Sequence, residues 1–373
     1  MSSTIPISGI CHDQFELVES AFRSNFTGHG EVGARVSVIK DGEIVVDLCG
    51  GHTTETKQQL WDESTLIVCM SVTKGVVALA AHLLAERDQL NYDAPVAEYW
   101  PEFQSNGKSA ITVRQAMAHQ ASLAIIDNAE PGDILDWDIF TSKIAQQAPN
   151  WTPLTNETYH SVTFGYIVGE LVRRVDGRSI QRFIAEELAG PLGADYILGC
   201  QDKDLSRIVP QISNPENELM AGGLINEKTL AMFAPYPTDP AYGGSDESLK
   251  LGFPSGGGVS NALGIAKLFA PLAMDGKYNG VQLYSQETID LMSTQQWHHD
   301  DYLFGNEFRV ALGLLLDCPF NHWGRDGNVG SAGAGGYTVF ADPENRVAFG
   351  YTPNRFTTGY GLGEEEKRLV DAM

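Results

Sequence analysis

The stretch CMSVTKGVVALAAHLL, residues 69–84, sets a serine and a lysine three positions apart at the mouth of an apolar helix. Val76, Leu79, Ala80, Leu83 and Leu84 recur at helical spacing behind Ser71 and Lys74. Residues three apart on a helix share a face, so the two side chains can meet. A serine hydroxyl is a weak nucleophile until something takes its proton. A lysine desolvated beside it can be neutral and serve as that base. Unpaired N–H groups and the positive dipole end of the helix favour negative charge developing near Ser71. The arrangement suits a serine that forms a covalent acyl-enzyme. The plain alternative is a serine N-cap followed by a lysine whose head reaches water. The pattern is short and recurs at Ser105 and Lys108, in a polar turn with no helix behind it, where no chemistry is expected.

Working outward, residues 12–26 read as an amphipathic helix. ARVSVIKDGEIVVDLCGG (34–51) then alternates, turns at Asp41 and Gly42, and alternates again, the pattern of a hairpin. The middle of the chain is mostly helical. Thr112 with Gln115 makes a capping-box pattern, and Ser179 stands as N-cap before IQRFIAEELAG. Serines likewise open SNALGIAKLFAPLAM and SQETIDLMSTQQ. Near the end RVALGLLL, GGYTVFADP and NRVAFGYTP return to a two-residue period, and a short helix closes the chain. The expected class is α/β (α+β). One antiparallel sheet, built from both chain ends and flanked by helices, takes residues 1–70 and 305–373; an inserted, mostly helical lobe takes residues 71–304. The Pro- and Gly-rich stretch 233–258 is expected to be a long loop at the site.

The 373 residues are 43% hydrophobic, enough for a large core in two lobes. Acidic residues outnumber basic ones by 48 to 25, and the net charge of −23 disfavours nucleic acid and anionic membranes as partners. No apolar run reaches the roughly 18 residues of a membrane span, and the first residues carry no signal pattern, so a cytoplasmic location is expected. Cys11, Cys49, Cys69, Cys200 and Cys318 are scattered, without a C-x-x-C pair; neither a disulfide framework nor a zinc site is expected. Cys69 reads as a small wall residue beside Ser71. No sequence feature fixes the oligomeric state.

Two further stretches carry chemistry. TNETYHSVTFGYIVGELVRRVDGRS (155–179) places Tyr159 and Ser161 before an apolar helix. A tyrosine beside a lysine can relay or accept a proton, and Ser161 can hydrogen-bond the lysine head. VGSAGAGGYTVFADP (329–343) is a glycine-rich turn opening a strand, where glycines permit close backbone approach and an edge N–H can serve an oxyanion. Weaker patterns are WHHDD (297–301), read as a solvated loop rather than a metal site, and PSGGGVSN (254–261), read as a capped loop. His119 and His160 read as structural. No G-x-S-x-G elbow occurs, which argues against an α/β-hydrolase.

SVTKG at 71–75, RQAMAHQASL at 114–123, YHSVTFGYIVGELVRRVDGRS at 159–179, FPSGGGVSNA at 253–262 and GAGGYTVFADP at 333–343 together resemble the serine β-lactamase and penicillin-binding-protein superfamily. Its class C-like branch, the family VIII carboxylesterases, is the nearest match. The resemblance implies a β-lactamase-like fold and a small-molecule substrate, with no metal or cofactor. It implies that Ser71 is the acyl-forming nucleophile and that Lys74 and Tyr159 share the acid–base work. The N–H groups of Ser71 and Ala334 would form the oxyanion hole, with Ser161, Ser331 and Gly333 at the substrate. One departure bears on function. Lactamases of this superfamily start the third motif with a lysine, and many related esterases with histidine or tryptophan; here Ser331 stands there. Without that cation the Tyr159 pKa is less depressed, which moves the base role towards Lys74, and a grip on a substrate carboxylate is lost. The expected activity is hydrolysis of short, uncharged carboxylic esters. The alternatives are a β-lactamase, a D-amino-acid peptidase or amidase, an acyltransferase, or a silent member that binds acyl or peptide ligands.

Overall fold

A computed structural model describes residues 5–217, 226–359 and 363–373. Strand β1 (Ile7–Cys11) precedes the hairpin of β2 (Gly33–Lys40) and β3 (Glu43–Gly51). Asp41 and Gly42 take left-handed backbone, φ 52° and 85°, as a two-residue hairpin turn requires. Later strands are β4 (Trp297–Asp300), β5 (Glu307–Val310), β6 (Leu315–Leu316), β7 (Val329–Gly333), β8 (Tyr337–Asp342) and β9 (Val347–Pro353). They join the first three in a nine-stranded antiparallel sheet, in the order β1-β3-β2-β9-β8-β7-β6-β5-β4. The two ends of the chain meet inside it, Lys40 pairing with Val347 and Ala34 with Pro353.

The helices that position the site are α1 (Glu16–Gly28), α2 (Val72–Glu86), α3 (Trp137–Gln146), α4 (Thr163–Asp176), α5 (Ala262–Ala273) and α6 (Glu364–Asp371). Alternation in the strands gives the sheet two apolar faces. One buries Val36, Val38 and Phe349 against Phe22 of α1 and Leu369 of α6. On the other, α5 lies on β2, β8 and β9, and α2 packs between β7 and α4. A Cβ at Gly350 would sit 2.2 Å from the Ala262 carbonyl oxygen, so glycine is what lets α5 begin so close to the sheet. Helix α2 is buried on every side from residue 72 to 84, as its near-continuous apolar sequence requires.

The capping box at Thr112 and the serine caps at Ser179 and Ser285 form. Helix α5 departs from expectation: Asn261 caps it, while the Ser260 hydroxyl donates to the Asp195 carbonyl at 2.6 Å. The stretch 233–258 is not one long loop, since it holds the short helix Asp246–Leu251. Strand β4 and helix α5 belong to the sheet layer although both lie before residue 305. Among the described residues, no helix is long and apolar enough to cross a membrane.

Candidate active site

Ser71 opens α2 but does not cap it; its side chain accepts no N–H from the first turn. The hydroxyl instead receives a hydrogen bond from Lys74 Nζ at 3.0 Å. The capping reading does not hold, and the hydroxyl is left facing Lys74. The backbone just before Ser71 is strained, with Met70 in the left-handed region at φ 49°. Thr73 holds that bend: its Oγ1 donates to the Met70 carbonyl at 2.7 Å and accepts from Gly258 N at 2.9 Å.

Lys74 is 3% exposed and makes one further bond, to the Ser255 carbonyl oxygen at 2.7 Å. Burial with no carboxylate to pair with pushes its pKa down to about 7. The Ser255 carbonyl takes the place expected for the Ser161 hydroxyl, which lines the cleft without reaching the lysine. Ser255 is fixed by its own side chain, which donates to Val162 O at 2.6 Å and accepts from Gly165 N at 2.8 Å. No motif rule marks a backbone carbonyl 181 residues away, although the sequence places it in the glycine-rich stretch that precedes α5.

Tyr159 lies across Ser71 and Lys74, with Nζ 4.8 Å from the centre of its ring. Burial holds its phenol above the ordinary value, opposed only in part by a hydrogen bond with Ser71. The ring sits between His119, at 4.7 Å, and Phe308, at 5.6 Å. Asp301 anchors the backbone below it. This buried carboxylate accepts from Tyr159 N and Thr158 Oγ1, each at 2.6 Å, and from Leu303 N and Phe304 N, each at 2.9 Å. Asp301 is thus a positioning residue inside WHHDD. His298 and His299 pair with Glu307 and Glu157, and no group suited to a metal occurs among the described residues. His119 accepts from His160 N, and His160 Nε2 accepts from Leu123 N. Burial keeps both rings neutral, His160 down to about 4. Cys69 is buried, its thiol pushed up to about 12, as befits a wall residue.

The end of β7 closes the site. A Cβ at Gly333 would meet Cys69 O at 2.6 Å and Ser71 N at 3.1 Å, so glycine allows the strand to touch the start of α2. Ala334 follows at the cleft wall. Neither the Ser71 nor the Ala334 N–H has a backbone acceptor among the described residues. Ser331, expected at the substrate, faces the other way. It is 4% exposed, packs beside Gly75 and donates to the Ser71 carbonyl at 3.3 Å.

Ser71 stands between two cavities. One, of about 550 Å³, is walled by Met70, Ile134, Phe233, Tyr236, Tyr242 and Phe253. Lys74 is the one charged side chain among the described residues that line it. The other is a niche of about 40 Å³ between Tyr159, Phe308, Phe320 and Ala332. The second Ser-x-x-Lys copy, read as a polar turn, lies away from the site, and its lysine is buried. Lys108 is fully buried and donates to Ser105 O and Ala145 O at 2.8 and 2.9 Å, and to Gln147 O.

A serine, a desolvated lysine and a tyrosine gathered where the antiparallel sheet meets the helices packed on it define a β-lactamase-like serine-hydrolase architecture. The chain belongs to the beta-lactamase family, whose sequence profile matches residues 18–372. It is similar to Esterase/beta-lactamase LipL of Mycobacterium tuberculosis, 31% identical over 94% of this chain and 83% of the relative. Among solved structures it is similar to a family VIII carboxylesterase, 33% identical, with 99% of both chains covered and a TM-score of 0.91. A penicillin-binding-protein homologue from Caulobacter crescentus is 32% identical over 98% of both chains, with a TM-score of 0.86.

Proposed function

We propose that this protein hydrolyses uncharged carboxylic esters through an acyl-enzyme on Ser71. The observation that carries the reading is the Lys74 Nζ–Ser71 Oγ hydrogen bond, made by a lysine whose pKa is near 7. About half of Lys74 is then neutral at pH 7 and able to take the Ser71 proton. Oγ attacks the ester carbonyl, and the N–H groups of Ser71 and Ala334 receive the oxyanion. Tyr159, kept protonated by burial, donates to the departing alkoxide and is recharged from Lys74. Water then attacks the acyl-enzyme along the reverse proton path. The names of the related esterases support the ester reading.

The cleft favours a neutral substrate. Among the described residues, a β-lactam carboxylate buried there meets no cation beyond Lys74. The missing charge-assisted hydrogen bond is worth about 1.5–3 kcal/mol, or about one to two orders of magnitude in kcat/KM. Comparing kcat/KM for p-nitrophenyl butyrate and a chromogenic cephalosporin tests this. The ester should win by at least about tenfold; equal efficiency would favour the lactamase alternative.

A reducing compartment fits the five free cysteines, so we place the protein in the cytoplasm. Recovery of the full chain in an exported fraction would contradict that placement. We also propose two lobes, residues 1–70 with 305–373 and residues 71–304, with β4 and α5 docked on the first. Limited proteolysis that releases neither as a stable unit would count against the division.

A further inference from the structure

The niche beside Ser71 contains one polar side chain that the mechanism above does not use. Asn321 is fully buried and lines the niche together with Ser71 and Tyr159. Both ends of its carboxamide, Nδ2 and Oδ1, lack a hydrogen-bond partner. Its backbone is occupied in a turn with Cys318, which fixes where the side chain stands. A buried amide with neither end paired is costly. Such a group is explained most simply by a ligand that both accepts and donates. The space is small, about 40 Å³, yet above the roughly 10–15 Å³ that a buried water needs. The other side chains, Phe308, Leu315, Phe320 and Ala332, are apolar, and Gly333 and Ala334 complete the lining.

We propose that this niche seats first the oxygen end of a small leaving alcohol and then the hydrolytic water, and that Asn321 holds that water through its carboxamide. The inference rests on the serine-esterase reading and deepens it. Tyr159 lines both cavities, so the group that protonates the departing alkoxide also faces the niche. Water that enters where the alcohol left meets the same proton-transfer group, now backed by neutral Lys74. The acyl group then occupies the large apolar cavity. In the step that follows, the water oxygen bonds to the acyl carbon and the bond from that carbon to Ser71 Oγ breaks. One water proton passes to the Tyr159 hydroxyl as that hydroxyl hands its own proton to neutral Lys74, and Lys74 returns a proton to Oγ, releasing the acid and the free serine.

The test separates acylation from deacylation. Wild type and Asn321→Leu are mixed with p-nitrophenyl butyrate, and the p-nitrophenol burst and the lifetime of the butyryl adduct are followed, the latter by intact mass. Asn321→Leu should keep the burst amplitude, which also counts folded sites, and lengthen the adduct lifetime about tenfold. Asn321→Gln should recover part of the loss if the variant's burst amplitude shows intact sites. Adduct lifetimes equal in wild type and Asn321→Leu, or a burst rate and lifetime that worsen together, would overturn the role of Asn321. If wild type forms no adduct on Ser71 while still cleaving the ester, the acyl-enzyme reading falls, and this inference with it.

Discussion

The chain contains the same four-residue pattern twice, and the two copies have become different things. In both, burial lowers the lysine pKa, to about 7 at Lys74 and about 8 at Lys108. The difference lies in what the ammonium faces. Lys108 spends its three protons on three carbonyl oxygens, two of them at the end of α3. It therefore stays charged at pH 7 and ties off a helix terminus. Its serine partner turns away, the Ser105 hydroxyl donating to Glu102 O at 3.1 Å. Lys74 has one carbonyl and one hydroxyl, and that hydroxyl opens onto a cleft. On the proposed mechanism, a buried lysine becomes a base when an acceptor is missing and a reactive group fills the gap.

Substitution should expose this difference most strongly at the lysines. Lys74→Met should lower kcat/KM for a p-nitrophenyl ester by about 10²–10⁴, the usual range for general acid–base groups, with the melting temperature little changed. Lys108→Met should do the reverse. Activity per folded molecule should hold, while the orphaned carbonyls cost about 2–4 kcal/mol of stability, read from urea denaturation. A Lys108→Met enzyme that is stable and inactive would erase the distinction.

The proton path offers the next test. Lys74→Ala and Tyr159→Phe remove parts of one unit, so their losses should not multiply. The double variant should be within about tenfold of the worse single; clean multiplication in steady-state kinetics would show two independent roles.

The pH profile follows, with a smaller effect. Lys74 must be neutral to accept the serine proton, so kcat/KM should rise with pH, about tenfold per unit below 7, and level off above the Lys74 pKa of about 7. Tyr159, held high by burial, should give no falling limb near neutrality. A rate that falls as pH rises through 7 would mean that the charged lysine is the active form.

Much of this was legible before any coordinates. The hairpin at Asp41 and Gly42, the capping box at Thr112 and the apolar helix behind Ser71 follow from local chemistry, and all three form. What stayed hidden depends on distant partners. Strand β1 has three exposed residues among five and is a strand because it pairs with β3. The burial of Lys108 does not show in its polar turn because two of its acceptors lie 37 and 39 positions on. The Ser255 carbonyl and the Asp301 anchor are likewise invisible to any local pattern. Motif position points Ser331 at the substrate, but the sheet's alternation turns its hydroxyl onto α2.

The smallest kinetic effect is expected at the second serine: Ser105→Ala should leave kcat/KM within about twofold and stability within about 0.5 kcal/mol, as for other surface substitutions. The central claim, that only one of the two copies is reactive, is tested most directly by treating the whole protein with a fluorophosphonate and mapping the label by peptide mass. The account predicts a single adduct on Ser71, with loss of ester turnover in proportion to labelling. Labelling at Ser105, or full turnover surviving complete modification of Ser71, would contradict it.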